Sequence, residues 1–331
     1  MSGDPDTVRE LSVRAFRHLA RLTPPGAPHP EAAEVEDRLT GWAVATGLYE
    51  PGRTEALARR RIGHLAGWCM PDAPTPVVRL TAQYLTWVFA FDDTVAEDQE
   101  QLERHAALDL PRVLETGTLP PGRCGALVLA LAAVRRDIVD AGGTALLPRL
   151  AHGLRQYLAS CASEGPWRAG GTPPTLARYL DDRAHTSGGH PLYLHLLAPG
   201  MPPLGEPLPS AAVGLAEQAF LIGALANDLL GFAVEARQGD PVNVITVLAH
   251  EFDLDLPEAH RAAGVLHAAQ KHRFDTDHDR LLADVSLGDP QRAFVRAVGG
   301  WVAGSAAAIE PYLRHFLSLE PEPTPNQRST P

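Results

Sequence analysis

Apolar residues recur every three to four positions along most of the chain, in stretches separated by clusters of proline and glycine. That spacing predicts amphipathic helices laid on a core, and no strand-like alternation competes with it. Breaks fall at 24–30, 71–76, 119–122, 165–174 and 199–209, with another after Gly239-Asp240-Pro241. Between the breaks about ten helices are expected, including 31–49, 77–100, 125–141, 145–160, 176–186, 211–237, 242–251, 258–272 and 290–316. No internal repeat of fixed period appears. The pattern predicts one all-α domain over 1–318, followed by a Pro-, Glu- and Thr-rich tail, 319–331, whose composition predicts disorder.

Composition narrows the chemistry. The 331 residues are 45% hydrophobic and 21% charged, enough apolar material for one sizeable core. A formal net charge of −11 argues against a nucleic-acid partner, which needs a basic footprint. It leaves an anionic substrate open, because a bound cation inverts the local field. The three cysteines, Cys69, Cys124 and Cys161, are scattered without metal or disulfide spacing, so a reducing cytoplasm is expected. The first nine residues carry acids without an apolar core, unlike a signal peptide, and no membrane partner is expected.

Two segments carry candidate chemistry. In Tyr84-Leu-Thr-Trp87-Val-Phe89-Ala-Phe91-Asp92-Asp93-Thr-Val-Ala-Glu97-Asp98 an aromatic helix runs into carboxylates. On an α-helix Asp93 and Glu97 share a face beside Asp92. Carboxylates are disfavoured at a helix C-terminus unless they are solvated or joined by a cation, and Mg²⁺ suits such oxygen donors. In Phe220-Leu-Ile-Gly-Ala-Leu225-Ala-Asn227-Asp228-Leu-Leu-Gly231-Phe-Ala-Val234-Glu235, the spacing puts Asn227, Gly231 and Glu235 on one stripe. Asn227 and Glu235 can both offer oxygen to a hard cation, with room for water at Gly231. The competing reading is a helix cap or kink. Asp228 points about 100° away and reads as a supporting or structural acid, with a metal-ligand role as the lesser alternative.

These segments resemble the bacterial class I terpene synthases. Asp92-Asp93-Thr-Val-Ala-Glu97 is similar to the family's aspartate-rich motif, and Asn227-Asp228-Leu-x-Gly231-x-x-x-Glu235 to its second metal motif. Gly239-Asp240-x-x-Asn243, Trp42-Ala-x-x-x-Gly47-Leu48, Ala66-Gly-Trp-Cys-Met-Pro71-Asp72 and Trp301-Val-x-Gly304 add to the likeness. So does Tyr179-Leu-Asp-Asp-Arg183-Ala-His-Thr186-Ser187-Gly188.

The resemblance implies a helical bundle around a central apolar cavity and an isoprenyl diphosphate substrate, farnesyl before geranylgeranyl diphosphate. It implies three Mg²⁺ ions, with Asp92, Asp93, Glu97, Asn227, Gly231 and Glu235 at the metals and Arg183 and Arg314 at the diphosphate. Thr186, Ser187 and Gly188 would help trigger ionisation. Trp87, Phe89, Phe91, Phe220, Leu225 and Trp301 are candidate cavity or cation-facing residues, each of which ordinary core packing would also explain. A homodimer is compatible with the family.

Three positions depart from the pattern. Gly231 stands for a hydroxyl residue, Val234 for a lysine and His315 for a tyrosine, unless an offset makes Tyr312 the aromatic. They keep open an inactive isoprenoid-binding protein on the same fold. A chain-elongating prenyltransferase would need a second full aspartate motif, and Asp181-Asp182 lacks the downstream acid. His185, His190 and His195 are not spaced as a zinc site. Asp275, Asp277 and Asp279 read as a solvated stretch between helices.

Overall fold

The computed structural model describes residues 5–22, 26–96, 99–106, 108–122 and 124–318. Among them it is all helix, turn and loop, with no strand. Fourteen α-helices follow in order: α1 (Pro5–Leu22), α2 (Ala32–Ala45), α3 (Thr54–Arg60), α4 (Ile62–Cys69), α5 (Thr75–Phe91), α6 (Gln99–Ala106), α7 (Leu110–Thr116), α8 (Ala126–Asp140), α9 (Leu147–Gly170), α10 (Leu176–Thr186), α11 (Ser210–Gln238), α12 (Val244–Phe252), α13 (Leu256–Ala283) and α14 (Asp289–Ser318).

Local chemistry sets several boundaries. Thr175 caps α10 by accepting a hydrogen bond from the Arg178 amide. Asn243 does the same for α12 through the Ile245 amide at 2.8 Å. Asp255 and Glu258 cap α13 reciprocally, with Pro257 in its first turn. Gly239 ends α11 at φ 76°, a left-handed conformation that glycine adopts without strain.

Three expectations need correction. The predicted break at 165–174 comes late, because α9 runs through Pro166 to Gly170. The helix predicted over 77–100 stops at Phe91 and passes into a π-helical turn, Asp92–Ala96. The acids at 275–279 are not a link between helices but lie inside α13. There Asp275 pairs with Lys271, and Asp277 with Arg280 and with the Gln218 amide, so an otherwise repulsive run is neutralised.

The core has two parts. The larger gathers α2, α4, α5, α7, α8, α9 and α14 around Tyr84, Trp87, Phe91, Tyr157 and Phe294. The smaller lies on the other side of α11, where Leu225 and Leu229 meet Tyr179, α1, α12 and α13. Helix α11 separates the two. Its segment Ser210–Ala233 is long and apolar enough to cross a membrane by length and composition, yet it packs against α1, α10, α12, α13 and α14. A cleft of about 440 Å³, open to solvent on one side, lies between α2, α5 and α8, lined by Trp42, Leu80 and Gln83 together with the charged Arg38, Arg79, Asp137 and Asp140.

Candidate active site

Helix α5 is almost wholly buried, and its aromatic C-terminal half explains why its end is so well placed. Trp87 stacks on Phe91 at 5.4 Å between ring centroids and anchors its indole N–H on the Leu127 carbonyl at 2.8 Å. Both are core residues, with no exposed surface. The helix then widens into the π turn that carries Asp92 and Asp93, both exposed. π-Helical turns re-aim side chains and often mark functional sites. Here the two acids diverge. Asp92 Oδ1 lies 3.5 Å from the Tyr157 hydroxyl of α9, and Asp93 Oδ2 lies 2.6 Å from Arg60 Nη2 of α3. The shared face expected for Asp93 and Glu97 involves Glu97, which lies outside the described residues.

The facing cluster is built on α10, α11 and α12. Asp228 has no exposed surface. It accepts Arg183 Nε at 3.0 Å and Nη2 at 2.6 Å, and a short hydrogen bond from the Tyr179 hydroxyl. This is the structural role its angular position predicts. Arg183 also reaches Asn227 Oδ1 at 3.2 Å and Thr186 Oγ1 at 3.3 Å. Burial works against the guanidinium charge, but Asp228 outweighs it, so the Arg183 pKa rises and the charge is locked in.

Asn243 Nδ2 donates to the Asp228 carbonyl at 3.0 Å and to Glu235 Oε2 at 2.6 Å, tying α12 to α11. The other Glu235 oxygen, Oε1, lies over Gly231, only 2.6 Å from where a Cβ would stand. Burial, and then the negative charge of Asp228, push the Glu235 pKa upward.

Between the two groups stands Glu164 of α9, 5% exposed. Its pKa is raised by burial, lowered by Arg168 and Arg183, and raised again by Asp92, so it senses both sides. Arg168 bridges Glu164 at 3.0 Å and Asp240 at 3.2 Å. Sequence reasoning missed Arg60, Tyr157, Glu164 and Arg168. The contacts of Arg60 with Asp93 and of Tyr157 with Asp92 join remote segments that no local pattern marks, whereas the i,i+4 spacing of Glu164 and Arg168 on α9 was a signal that could have been read.

The turn Thr186-Ser187-Gly188 ends α10. Ser187 Oγ bonds the Ala184 carbonyl at 2.8 Å and accepts the Gly189 amide at 3.2 Å. Gly188 has φ 63°, and a Cβ there would meet Val88 Cγ1 at 2.5 Å, so the turn lies directly on α5. Gly189 touches Phe220 just as closely. The remaining lining candidates separate. Phe220 packs edge-on to Tyr193, and Trp301 packs against His195, both within the larger core. Leu225 faces the smaller core, away from them, because it sits on the opposite side of α11. Phe89 is half-buried under the Arg60 guanidinium, 5.5 Å from its ring centroid. The side chains of Val234, Tyr312, Arg314 and His315 lie outside the described part.

Asp92, Asp93, Asn227 and Glu235 are the groups that could hold a metal. These donors lie on two elements, Asp92 and Asp93 on the π turn and Asn227 and Glu235 on α11. The set is all oxygen, as a hard divalent cation prefers. Glu235 provides the sharper test. Its half-buried carboxylate stands near another acid, with Oε1 lying over Gly231 where no side chain covers it, so a cation there would offset the charge and add a partner for that oxygen. The residues fit a hard divalent ion.

Fold and site together define a terpene synthase, a lyase that binds metal. The chain belongs to terpene synthase family 2, whose model for the C-terminal metal-binding part matches residues 83–273. It is similar to 10-epi-cubebol synthase of Sorangium cellulosum (strain So ce56), 28% identical over 78% of this chain and 84% of that protein. Spiroviolene synthase of Streptomyces violens is 30% identical over 79% of this chain and 75% of that one. Among solved structures, a point variant of cucumene synthase superposes with a TM-score of 0.72 at 25% identity, covering 86% of this chain and 97% of that one. The same fold is seen in 2-methylisoborneol synthase of Streptomyces coelicolor A3(2), solved with Mg²⁺ and 2-fluoroneryl diphosphate. Its TM-score is 0.77 at 21% identity, over 88% of this chain and 94% of that one.

Proposed function

We propose that this enzyme ionises an acyclic isoprenyl diphosphate, farnesyl diphosphate first among them, and cyclises the carbocation, with Mg²⁺ held between Asp92 and Asp93 on one side and Asn227 and Glu235 on the other. The observation that carries the reading is the arrangement around Glu164. Glu164 lies on α9 between Tyr157, whose hydroxyl is 3.5 Å from Asp92 Oδ1, and Arg168, which reaches Asp240 just past the end of α11 at 3.2 Å, so one helix spans both halves of the site. The substrate class is supported by (+)-T-muurolol synthase of Roseiflexus castenholzii, described as (2E,6E)-farnesyl diphosphate cyclizing and 28% identical over 78% of this chain.

Mg²⁺, three ions by family resemblance, would supply charge neutralisation for the departing diphosphate. The protein's own groups do the rest. Arg183 is preorganised: Asp228, itself held by the Tyr179 hydroxyl, fixes one side of its fork, so its position is set before any anion arrives. The same guanidinium contacts Thr186, so a pull on Arg183 from a bound anion reaches the Thr186-Ser187-Gly188 turn within one hydrogen bond. That turn lies on Val88 and Phe220, apolar surface that excludes water from a reactive cation. Arg314 is assigned to the diphosphate from the resemblance.

The test is incubation of the enzyme and Mg²⁺ with C10, C15, C20 and C25 isoprenyl diphosphates, followed by hydrocarbon analysis. A cyclic product from the C15 substrate that vanishes without Mg²⁺ is expected. A product from the C20 substrate alone would move the assignment to a diterpene synthase. Asp92→Asn and Glu235→Gln are each expected to reduce turnover by about 10²-fold or more with unchanged circular dichroism. Full activity in both would remove the two metal walls. The second reading, an inactive isoprenoid binder, is favoured by the missing hydroxyl at Gly231, and binding without diphosphate release from any chain length would establish it.

A further inference from the structure

Arg60 closes α3, between two segments that carry the family likeness but within neither, and it holds one of the two exposed acids of the site. Its Nη2 lies 2.6 Å from Asp93 Oδ2. Its guanidinium also covers the Phe89 ring at 5.5 Å, which fixes the plane of the fork against α5. The next residue, Arg61, has φ 49°, a left-handed turn that separates α3 from α4 and sets the exit of Arg60 toward the end of α5. Beside this pair the Tyr49 hydroxyl is buried and makes no hydrogen bond among the described residues. It feels the charges of both Arg60 and Asp93, so a polar atom without a partner stands next to the ion pair.

Two consequences follow from charge alone. While Arg60 neutralises Asp93, that carboxylate is a poorer ligand for a cation. Once a cation takes the carboxylate, the guanidinium is repelled by it. In octahedral coordination two oxygens sharing one Mg²⁺ lie about 3 Å apart. A guanidinium within hydrogen-bond distance of the Asp93 oxygen therefore needs little movement to reach a diphosphate oxygen on the same ion, and its fork suits such oxygens. The chain also has Val234 where the family resemblance expects a cationic lysine, so one positive charge toward the diphosphate is otherwise missing.

We propose that Arg60 is a positioning residue for the metal-bound diphosphate, pairing with Asp93 in the ligand-free enzyme and transferring to the diphosphate when a cation occupies Asp93. The proposal rests on the metal walls assigned above, and its test separates the two. Mn²⁺ binding to the protein without substrate is measured by electron paramagnetic resonance, and inorganic diphosphate binding in the presence of Mg²⁺ by calorimetry, for wild type, Arg60→Met, Arg60→Lys and Asp92→Asn.

The ion pair is partly exposed, 31% for Arg60 and 39% for Asp93, so its effect is modest. Arg60→Met is expected to bind free Mn²⁺ about two- to fivefold more tightly. The same variant is expected to bind diphosphate more weakly by at least that factor, with Arg60→Lys restoring part of both. The opposite signs are what a merely structural role would not produce. If wild type binds Mn²⁺ through Asp92 and Arg60→Met matches it in both assays, the latch is wrong and the metal walls stand. If wild type binds no Mn²⁺ that Asp92→Asn abolishes, the metal walls and the latch fall together.

Discussion

At Gly231 the absence of a side chain has a visible occupant. The Glu235 carboxylate folds into the space where a serine or threonine hydroxyl would stand. Because the conflict is with the far end of a flexible side chain, a hydroxymethyl group can be introduced at the cost of turning that carboxylate outward. Gly231→Ser is therefore expected to strengthen metal binding, lowering the Mg²⁺ concentration for half-maximal turnover several-fold. It should also add about 0.5 kcal/mol of stability by removing a glycine from a helix interior. Metal titration of activity and thermal unfolding check the two parts, and a serine variant needing more Mg²⁺ than wild type would show that the gap itself is useful. The stripe Asn227, Gly231, Glu235 was legible from its spacing. That Asp228 rather than Asn227 carries the main load of Arg183 was not, since the partners are 45 positions apart on different helices.

At the level of elements, a buried ion pair ties α10 to α11 beside the apolar packing of Tyr179 on Leu225 and Leu229. Asp228 has no exposed side-chain surface and Arg183 only 14%. Removing one member of such a pair leaves an uncompensated charge inside the protein, a cost of about 3–5 kcal/mol. Arg183→Met is thus expected to lower stability by that order as well as activity, whereas Asp92→Asn, on the exposed π turn, should leave stability within about 0.5 kcal/mol. Chemical denaturation of the two variants makes the comparison, and an Arg183→Met protein as stable as wild type would show that Asp228 is neutralised elsewhere.

The boundaries of α10 could be read almost to the residue, because Thr175 is a cap and the Ser187-Gly188 pair a stop. Helices α3 and α4 could not. They are short, and they are divided at Arg61 by a left-handed turn without the usual glycine. The π turn was equally hidden, for its acids fit an α-helix by spacing alone.

Across the whole molecule, several histidines are buried as neutral rings. Burial lowers the pKa of His190 from 6.5 to about 3, and His190 Nε2 lies 2.8 Å from the Tyr84 hydroxyl. Burial takes His195 to about 4. Because the folded pKa is depressed, the contribution is complete above pH about 6.5 and is lost as the pH falls toward about 3, where the unfolded chain takes up protons that the native state refuses. For a fully buried ring, about 2–3 kcal/mol is gone by pH 4.5. Denaturant unfolding at pH 7.5 and 4.5 should show this drop in wild type and a smaller one in His190→Gln, whose amide keeps a polar atom toward Tyr84. An equal drop in both would assign the acid sensitivity to other groups.

Helix α11 sets one more condition on the protein, this time during its synthesis. Its apolar segment Ser210–Ala233 is covered in part by α13 and α14, which lie downstream of it in the chain. A growing polypeptide therefore carries an apolar helix that stays in contact with water until its final neighbours arrive. A holdase chaperone that shields this helix until α13 and α14 have followed would raise the yield of folded enzyme.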